Sequence, residues 1–184
     1  MKIGYQGDLF SNSEEASKLF VKKLQFCSFS LIPLTSSQNV VKNLISGNID
    51  YGVMAIENII AGPVIETKEA LTNQIDLIDT LSIPIHHSLF SKHKNTNIQF
   101  VASHIQALNQ TENNRKKFWK NLKEIECKDT ALAAQLLSNG TYPDDYAVIC
   151  RTDAGKFYNL HLIKENIEDN PNNKTFFGLF ILKK

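Results

Sequence analysis

Residues 98–108 read IQFVASHIQAL, and this stretch is the most informative guide to the fold. The apolar run Ile98–Ala102 predicts a strand, and a helix is expected to begin at about Gln106, directly after a turn of small polar groups. The first N–H groups of a helix have no partner within the helix, and the helix dipole is positive there. The turn is therefore suited to hold the carboxylate of an anionic small molecule.

The same order of strand and helix recurs along the whole chain. Apolar residues with a period of about 3.6 predict helices, and short apolar runs between turn residues predict strands. We expect strands at Lys2–Tyr5, Phe29–Leu34, Tyr51–Ile56, Ile98–Ala102, Glu124–Cys127, Tyr146–Cys150 and Phe176–Leu182, and one strand-like run at Ile75–Leu89. We expect helices at Ser13–Leu24, capped by Ser11 or Ser13, and at Ser36–Ser46, Val64–Asn73, Gln106–Lys117 and Thr130–Leu137.

Alternation of this kind predicts an α/β fold, because helices of this length form crossovers between parallel strands. The second half repeats the architecture of the first, so we expect two doubly wound α/β lobes with a cleft between them, where ligands commonly bind. Lobe 1 is expected to comprise residues 1–76 plus 158–184, because the tail returns to it, and lobe 2 residues 77–157.

The composition argues against several classes of partner. The chain has 184 residues and a net charge of +1, so neither nucleic acid nor an anionic membrane is an expected partner. No apolar segment is long enough for a signal or a membrane span, and we expect a cytoplasmic protein. Cys27, Cys127 and Cys150 lack the paired spacing of a zinc site and are interpreted as reduced core thiols. Arg115 and Arg151 are the sole arginines available to grip a carboxylate.

Two polar positions next to predicted strands admit both structural and functional roles. Asn58 follows Glu57 at the end of a strand, and a helix cap beside a surface glutamate explains this pair as well as a binding site does. Thr175 precedes an apolar strand, where a β-branched residue is ordinary. Neither residue indicates a function by itself.

Two pairs of neighbours are poor candidates for joint chemistry. His86 and His87 point to opposite faces if they lie on a strand, so they cannot together chelate a metal, and structural roles are favoured. Ser103 and His104 are adjacent, which is poor geometry for a nucleophile and its base. For Ser103 a hydrogen bond to a ligand or a helix cap is more plausible.

Taken together, these segments resemble the catalytic domain of the prephenate dehydratase family. The similarity covers nearly the whole chain, and its strength lies in the order and spacing of the motifs. The matching residues are Gly7, Ser13-Glu14-Glu15-Ala16, Gly52 to Asn58, Gly62 and Thr67, His86-His87, Ser103 to Leu108, Thr130 to Ala134, and Thr175-Phe176-Phe177 in place of a closing Thr-Arg-Phe.

The resemblance implies a fold like a type II periplasmic binding protein, assembled as a homodimer or homotetramer and working without a cofactor or metal. It implies a lyase of phenylalanine biosynthesis that removes carbon dioxide and water from prephenate, a small dicarboxylate, to give phenylpyruvate. In the family the threonine of the closing motif is the proposed proton donor, which is Thr175 here. The remaining positions carried over as substrate-binding are Asn58, Ser103, Gln106, Ser11, Phe176 and Phe177.

The chain departs from the family pattern at several of these positions. Phe176 replaces the arginine of the closing motif, which should weaken carboxylate binding unless Lys174 or helix N-termini substitute for it. Phe10-Ser11-Asn12 replaces Gly-Thr-Phe, Ile59 replaces a serine, Ala61-Gly62-Pro63 replaces Glu-Gly-Ser, and Ile105 replaces a proline. The ACT module of many relatives is missing from the sequence, so no regulatory domain and no inhibition by phenylalanine are expected.

Two other functions are compatible with these residues. A non-aromatising prephenate decarboxylase of a bacilysin-type pathway would suit the altered closing motif, although the retained Thr175 argues against it. A catalytically silent ligand-binding module would suit the two-lobed fold, because such clefts bind solutes without chemistry in many proteins.

Overall fold

The computed structural model describes residues 1–183, which divide into two compact units. Unit 1 runs from Met1 to Ile85 and includes the tail from Asn173, and unit 2 is His86–Asn172. The tail therefore belongs to the first unit. The first limit lies at residue 85 rather than 76, because the run 75–89 is two strands that pair in different sheets. The second limit lies at residue 173 rather than 158, because the strand His161–Lys164 pairs in the sheet of unit 2.

Unit 1 is built on a six-stranded sheet with helices packed against it. Its strands are β1 (Lys2–Tyr5), β2 (Ser30–Pro33), β3 (Tyr51–Asn58), β4 (Gly62–Pro63), β5 (Ile75–Pro84) and β11 (Lys174–Leu182), and its helices are α1 (Asn12–Lys23), α2 (Ser37–Ile45) and α3 (Ile65–Ala70).

The strand order of this sheet is β2-β1-β3-β11-β5, with β4 paired to the end of β3. Strand β1 is parallel to β2 and β3, and β11 is inserted antiparallel to both β3 and β5. The carboxyl ends of β1, β3 and β5 therefore lie at the same edge as the start of β11. At Gly52 an added Cβ would lie 2.6 Å from Val40, so a side chain here would push α2 off the sheet.

Each face of this sheet has its own apolar core. On one face α1 covers a cluster that includes Tyr5, Phe20 and Phe177. On the other, Val40 and Leu44 of α2 pack with Met54 and Phe180. This arrangement is the covered sheet that alternating strands and helices predict.

Unit 2 repeats the scheme with a five-stranded sheet in the order β10-β6-β9-β7-β8. Its strands are β6 (Ser88–Ser91), β7 (Phe100–Ser103), β8 (Lys123–Glu126), β9 (Tyr146–Cys150) and β10 (His161–Lys164), and its helices are α4 (Ile105–Gln110), α5 (Glu112–Phe118), α6 (Thr130–Ser138) and α7 (Thr152–Phe157). The parallel core β8-β7-β9 is extended by β6, which runs antiparallel to β9. The sequence did not predict α7, β4 or β10, which are all short.

Several local predictions differ from the structure. The helix predicted at Gln106–Lys117 is interrupted at Thr111, whose hydroxyl donates to the Ala107 carbonyl 2.7 Å away. The helical periodicity of residues 36–46 predicts that Ile45 faces inward with Leu44, but Ile45 is 40% exposed at the end of α2. Cys27 is exposed, whereas Cys127 and Cys150 are buried as predicted. Within residues 1–183, no helix combines the length and the apolar character that a membrane crossing needs.

Candidate functional site

A β-bulge at the end of β3 brings two candidate residues together. On β11, Phe177 is paired with Ala55 but Phe176 is paired with Glu57, so β3 carries one extra residue between these pairs. Side chains alternate along a regular strand, and without the bulge Asn58 would share the face of Met54. With the bulge, Asn58 lies directly opposite Thr175 on the face that α1 covers.

Every polar atom of the Asn58 side chain is used. Its Oδ1 accepts hydrogen bonds from the backbone N–H groups of Ile60 and Ala61, both at 3.0 Å, which shapes the turn after β3. Its Nδ2 donates to Thr175 Oγ1 at 2.8 Å, to Asn173 Oδ1 at 2.9 Å and to the Lys174 carbonyl at 3.1 Å. Asn58 is 8% exposed and joins the turn to the start of β11.

Thr175 lies half-buried at the carboxyl edge of the unit 1 sheet, between Asn58 and Ile83 in register. Because its oxygen accepts from Asn58, its own hydroxyl hydrogen is directed away from that amide. A hydrogen bond donated to a hydroxyl oxygen also stabilises the anion that forms when the hydroxyl releases its proton.

Ser11 caps the helix that begins at this edge. Its Oγ accepts from the Glu14 backbone N–H at 3.2 Å, which confirms Ser11 as the N-cap. The Glu14 carboxylate accepts from the N–H of Phe10, one residue before the cap, so the capping box is shifted from its usual form. Phe10 has a φ of 64°, a conformation that favours glycine, and glycine is the residue of the family pattern at this position.

The N-termini of the two long helices of unit 1 already have carboxylate partners. In α1 this partner is Glu14, and in α2 the backbone N–H of Ser37 donates to Glu66 Oε1 at 2.7 Å. The remaining oxygen of Glu66 accepts from Gln6 Nε2 at 2.8 Å. These contacts occupy one backbone N–H near the start of each helix. Replacement of the missing arginine by Lys174 or by a helix N-terminus stays a prediction, and Lys174 is exposed beside Thr175.

The two aromatic residues of the closing motif have different surroundings. Phe176 is 40% exposed and lies opposite Glu57, so its ring is available to a ligand. Phe177 is 1% exposed and packs in the core under α1. The ring of Phe177 thus serves the core of unit 1, and a contact of Phe177 with substrate stays a prediction.

In unit 2, Ser103 is fully buried at the end of β7, and its hydroxyl donates to the Ile149 carbonyl at 2.6 Å. Gln106 is exposed in the first turn of α4. The N-cap of α4 is His104, whose Nδ1 accepts from the Gln106 backbone N–H, so this donor is not free for a carboxylate. The hydroxyl of Ser103 is committed to the sheet, and its contact with substrate stays a prediction.

The two neighbouring histidines have structural partners in unit 2. The buried carboxylate of Glu168 accepts from the His87 backbone N–H at 3.0 Å and lies 2.7 Å from Nδ1 of His86. The imidazole of His87 pairs with Gln110 Oε1 at 2.9 Å. Burial lowers the pKa of His87, and the bond to Gln110 opposes this shift only in part. These contacts agree with the structural roles that the sequence favoured.

Asn173 was missed by the sequence analysis. It is 1% exposed and forms hydrogen bonds with Asn58 through its side chain and with the N–H of Ile85 through its carbonyl. The only sequence signal was its position two residues before Thr175. Among residues 1–183, no three His, Cys, Asp or Glu side chains are grouped as a metal ion would require.

Comparison with known proteins places these observations in a family. A family model described as prephenate dehydratase matches residues 3–184. The prephenate dehydratase of Methanocaldococcus jannaschii is 34% identical over 175 residues, which are 91% of this chain and 60% of that protein. This chain thus spans three fifths of that relative's length.

Two solved structures report on the fold. The prephenate dehydratase from Arthrobacter aurescens, determined in complex with L-Phe, aligns with a TM-score of 0.88 at 22% identity over 100% of this chain and 61% of that chain. A periplasmic substrate-binding protein of an ABC transporter from Coxiella burnetii aligns with a TM-score of 0.53 at 13% identity, over 100% of this chain and 84% of that one. Both confirm the predicted fold class.

Proposed function

The chain belongs to the prephenate dehydratase family, and from this premise we propose that it is a lyase that converts prephenate to phenylpyruvate. The observation that carries the proposal is the hydrogen bond from Asn58 to the Thr175 hydroxyl at the carboxyl edge of the unit 1 sheet. The product is a precursor of phenylalanine, so the enzyme is assigned to phenylalanine biosynthesis. We also propose a homodimer or homotetramer, which light scattering of the purified protein tests.

The reaction balances with one proton taken up. The bond between the ring and its carboxylate breaks, carbon dioxide leaves, and the electron pair of that bond enters the ring. The bond between the opposite ring carbon and its hydroxyl breaks with its electron pair, and this oxygen takes a proton and leaves as water. The ring becomes aromatic, which provides the driving force.

Thr175 is proposed to supply this proton. Its hydroxyl is a weak acid, so it can act only where the resulting alkoxide is stabilised and reprotonated from solvent. Asn58 supports this role because its Nδ2 donates a hydrogen bond to Thr175 Oγ1. Since all polar atoms of the Asn58 side chain are engaged within the protein, we assign Asn58 as a positioning residue. General acid catalysis of this kind contributes about 10²- to 10⁴-fold to the rate.

Phe176 is the observation that favours a second candidate, the non-aromatising decarboxylase. Arg115 and Arg151, the two arginines of the chain, both lie in unit 2, so unit 1 has no guanidinium for a carboxylate. A decarboxylase would keep the substrate hydroxyl and would not need Thr175 as an acid. The bond between Asn58 and Thr175 supports the dehydratase over this alternative.

The test is the rate at which purified protein forms phenylpyruvate from prephenate at neutral pH, followed by its ultraviolet absorbance. The dehydratase proposal predicts a rate far above that of a protein-free sample. Loss of prephenate absorbance without phenylpyruvate would support the decarboxylase. Binding of prephenate without turnover would support a silent module and would contradict both enzyme proposals.

A further inference from the structure

The bulge in β3 determines which face of the sheet receives Asn58. The extra residue of the bulge is Ile56, which lies between the pairs that Ala55 and Glu57 form with β11. A change of register by one residue moves the side chains that follow it to the opposite face of the strand. A β3 strand without the bulge would therefore turn the Asn58 side chain away from Thr175. The contact between these two residues depends on what holds the bulge in place.

Two segments outside the ladder hold the bulge on the side of β3 that faces β1. Strand β1 ends at Tyr5, and its ladder with β3 stops two residues before Ala55. The Ala55 N–H donates instead to the side chain of Gln6, with 3.1 Å between its nitrogen and Oε1. The Ile56 carbonyl accepts from the Val64 N–H at 2.8 Å, at the start of α3. These two bonds satisfy the backbone groups that the bulge separates from the ladder.

The Gln6 side chain has a fixed orientation between two partners. Its Nε2 donates to Glu66 Oε2 at 2.8 Å, while its Oε1 accepts from Ala55. An ionised carboxylate can only accept and a backbone N–H can only donate, so the two ends of the amide cannot be interchanged. The other oxygen of Glu66 accepts from the Ser37 N–H at 2.7 Å. Gln6 thereby joins the bulge of β3 to the first turns of α2 and α3.

We propose that Gln6 is a positioning residue for the reaction, which holds the β3 bulge so that Asn58 stays opposite Thr175. This inference rests on the proposed function. Both polar ends of the Gln6 amide are engaged within the protein, so Gln6 acts through its neighbours and not on substrate. A displacement of about 1 Å at a catalytic group can cost about 10²-fold in rate, so a loosened bulge should be measurable in kcat.

The test exchanges the two side chains of the Gln6–Glu66 pair. Gln6→Glu alone sets two carboxylates against each other, and Glu66→Gln alone sets two amides against donors that both need an acceptor. In the double variant Gln6→Glu/Glu66→Gln every bond can form again. The carboxylate then accepts from Ala55 and from the new amide nitrogen, and the new amide oxygen accepts from Ser37. The charge of the pair is the same as in the wild type.

We expect each single variant to lower kcat by about 10²-fold with KM within about threefold of the wild type, and the exchanged pair to restore kcat to within about fivefold. Gln6→Met has nearly the same size and adds no charge, so it should remain folded and lose at least about tenfold in kcat. Gln74→Glu is the matched control, because Gln74 is exposed in the turn before β5, and it should behave as the wild type. Urea unfolding of each variant gives the folded fraction, and kcat is expressed per folded molecule.

A kcat of folded Gln6→Met within about threefold of the wild type would overturn the inference and leave the proposed function intact, because these bonds would then serve stability alone. An exchanged pair that is folded but no faster than the single variants would also overturn it, since Gln6 would then not act through its bond to Glu66. If the wild type does not turn over prephenate, the proposed function fails first, and this role fails with it.

Discussion

Replacing Thr175 by valine should separate catalysis from stability. Valine has nearly the same shape and removes only the hydroxyl. In the structure that hydroxyl oxygen accepts one hydrogen bond, from Asn58 Nδ2, and this nitrogen retains Asn173 Oδ1 at 2.9 Å and the Lys174 carbonyl at 3.1 Å. No donor is therefore left unpaired, and the cost in unfolding free energy should be about 1 kcal/mol.

The expected loss in rate is larger. Removing a general acid costs about 10²- to 10⁴-fold, which corresponds to about 2.7–5.4 kcal/mol in activation free energy. In a chain of this size, about 1 kcal/mol lowers the melting temperature by only about 2–4 °C. The two effects should therefore be separable in one preparation: a folded protein with a melting curve close to wild type and almost no turnover.

The assay measures kcat from phenylpyruvate absorbance and stability from urea unfolding of the same samples. Thr175→Ser retains the hydroxyl and should keep turnover within about tenfold of the wild type, since only the methyl group is lost. Thr80→Val is the matched control, because Thr80 is an exposed threonine on the neighbouring strand β5. A Thr175→Val variant with a rate within threefold of wild type would refute the proton-donor role.

Three further predictions address binding and stability. Phe176→Arg should lower the KM for prephenate about tenfold, because a charge-assisted hydrogen bond is worth about 1.5–3 kcal/mol; an unchanged KM would mean that Lys174 or another cation already fills this role. Phe10→Gly should raise the unfolding free energy by about 1 kcal/mol, because Phe10 has a φ of 64°, which is strained for residues other than glycine. A lower unfolding free energy of this variant in urea would mean that packing of the Phe10 ring outweighs the strain. Burial lowers the pKa of His87, so below pH 6.5 the unfolded chain binds a proton that the folded chain does not, and stability falls as pH falls. Between pH 7 and pH 5 the wild type should therefore lose more unfolding free energy than His87→Gln, by at most about 1.4 kcal/mol per pH unit; equal losses would contradict the assignment.

Much of the fold is predictable because its signals are local. The helix α1 begins and ends where its cap and periodicity indicate, since Ser11 satisfies the Glu14 N–H and the apolar face repeats every three to four residues. The run Ile75–Leu89 was misread as one strand, although Pro84 and the polar pair His86-His87 interrupt its apolar pattern between β5 and β6. Their separation follows from partners elsewhere in the chain, with β5 pairing along β11 and β6 along β9.

The site was predictable only in part. Thr175 and Asn58 could be named from the family motifs, but their contact depends on a bulge in β3 that periodicity along the strand does not reveal. For Ser103 the sequence favoured a hydrogen bond to a ligand or a helix cap, but not the bond that its buried hydroxyl donates to the Ile149 carbonyl of a strand distant in sequence. Asn173 has no sequence signal of its own, because its link to this site is a hydrogen bond with Asn58, which is far away in the sequence.

The most direct test of the account is the mass of the product formed from prephenate by the wild-type protein. The account predicts phenylpyruvate, a product that has lost both carbon dioxide and water, with its formation abolished in Thr175→Val. A product that has lost carbon dioxide but kept its hydroxyl oxygen would contradict the role of Thr175 and establish a decarboxylase in its place.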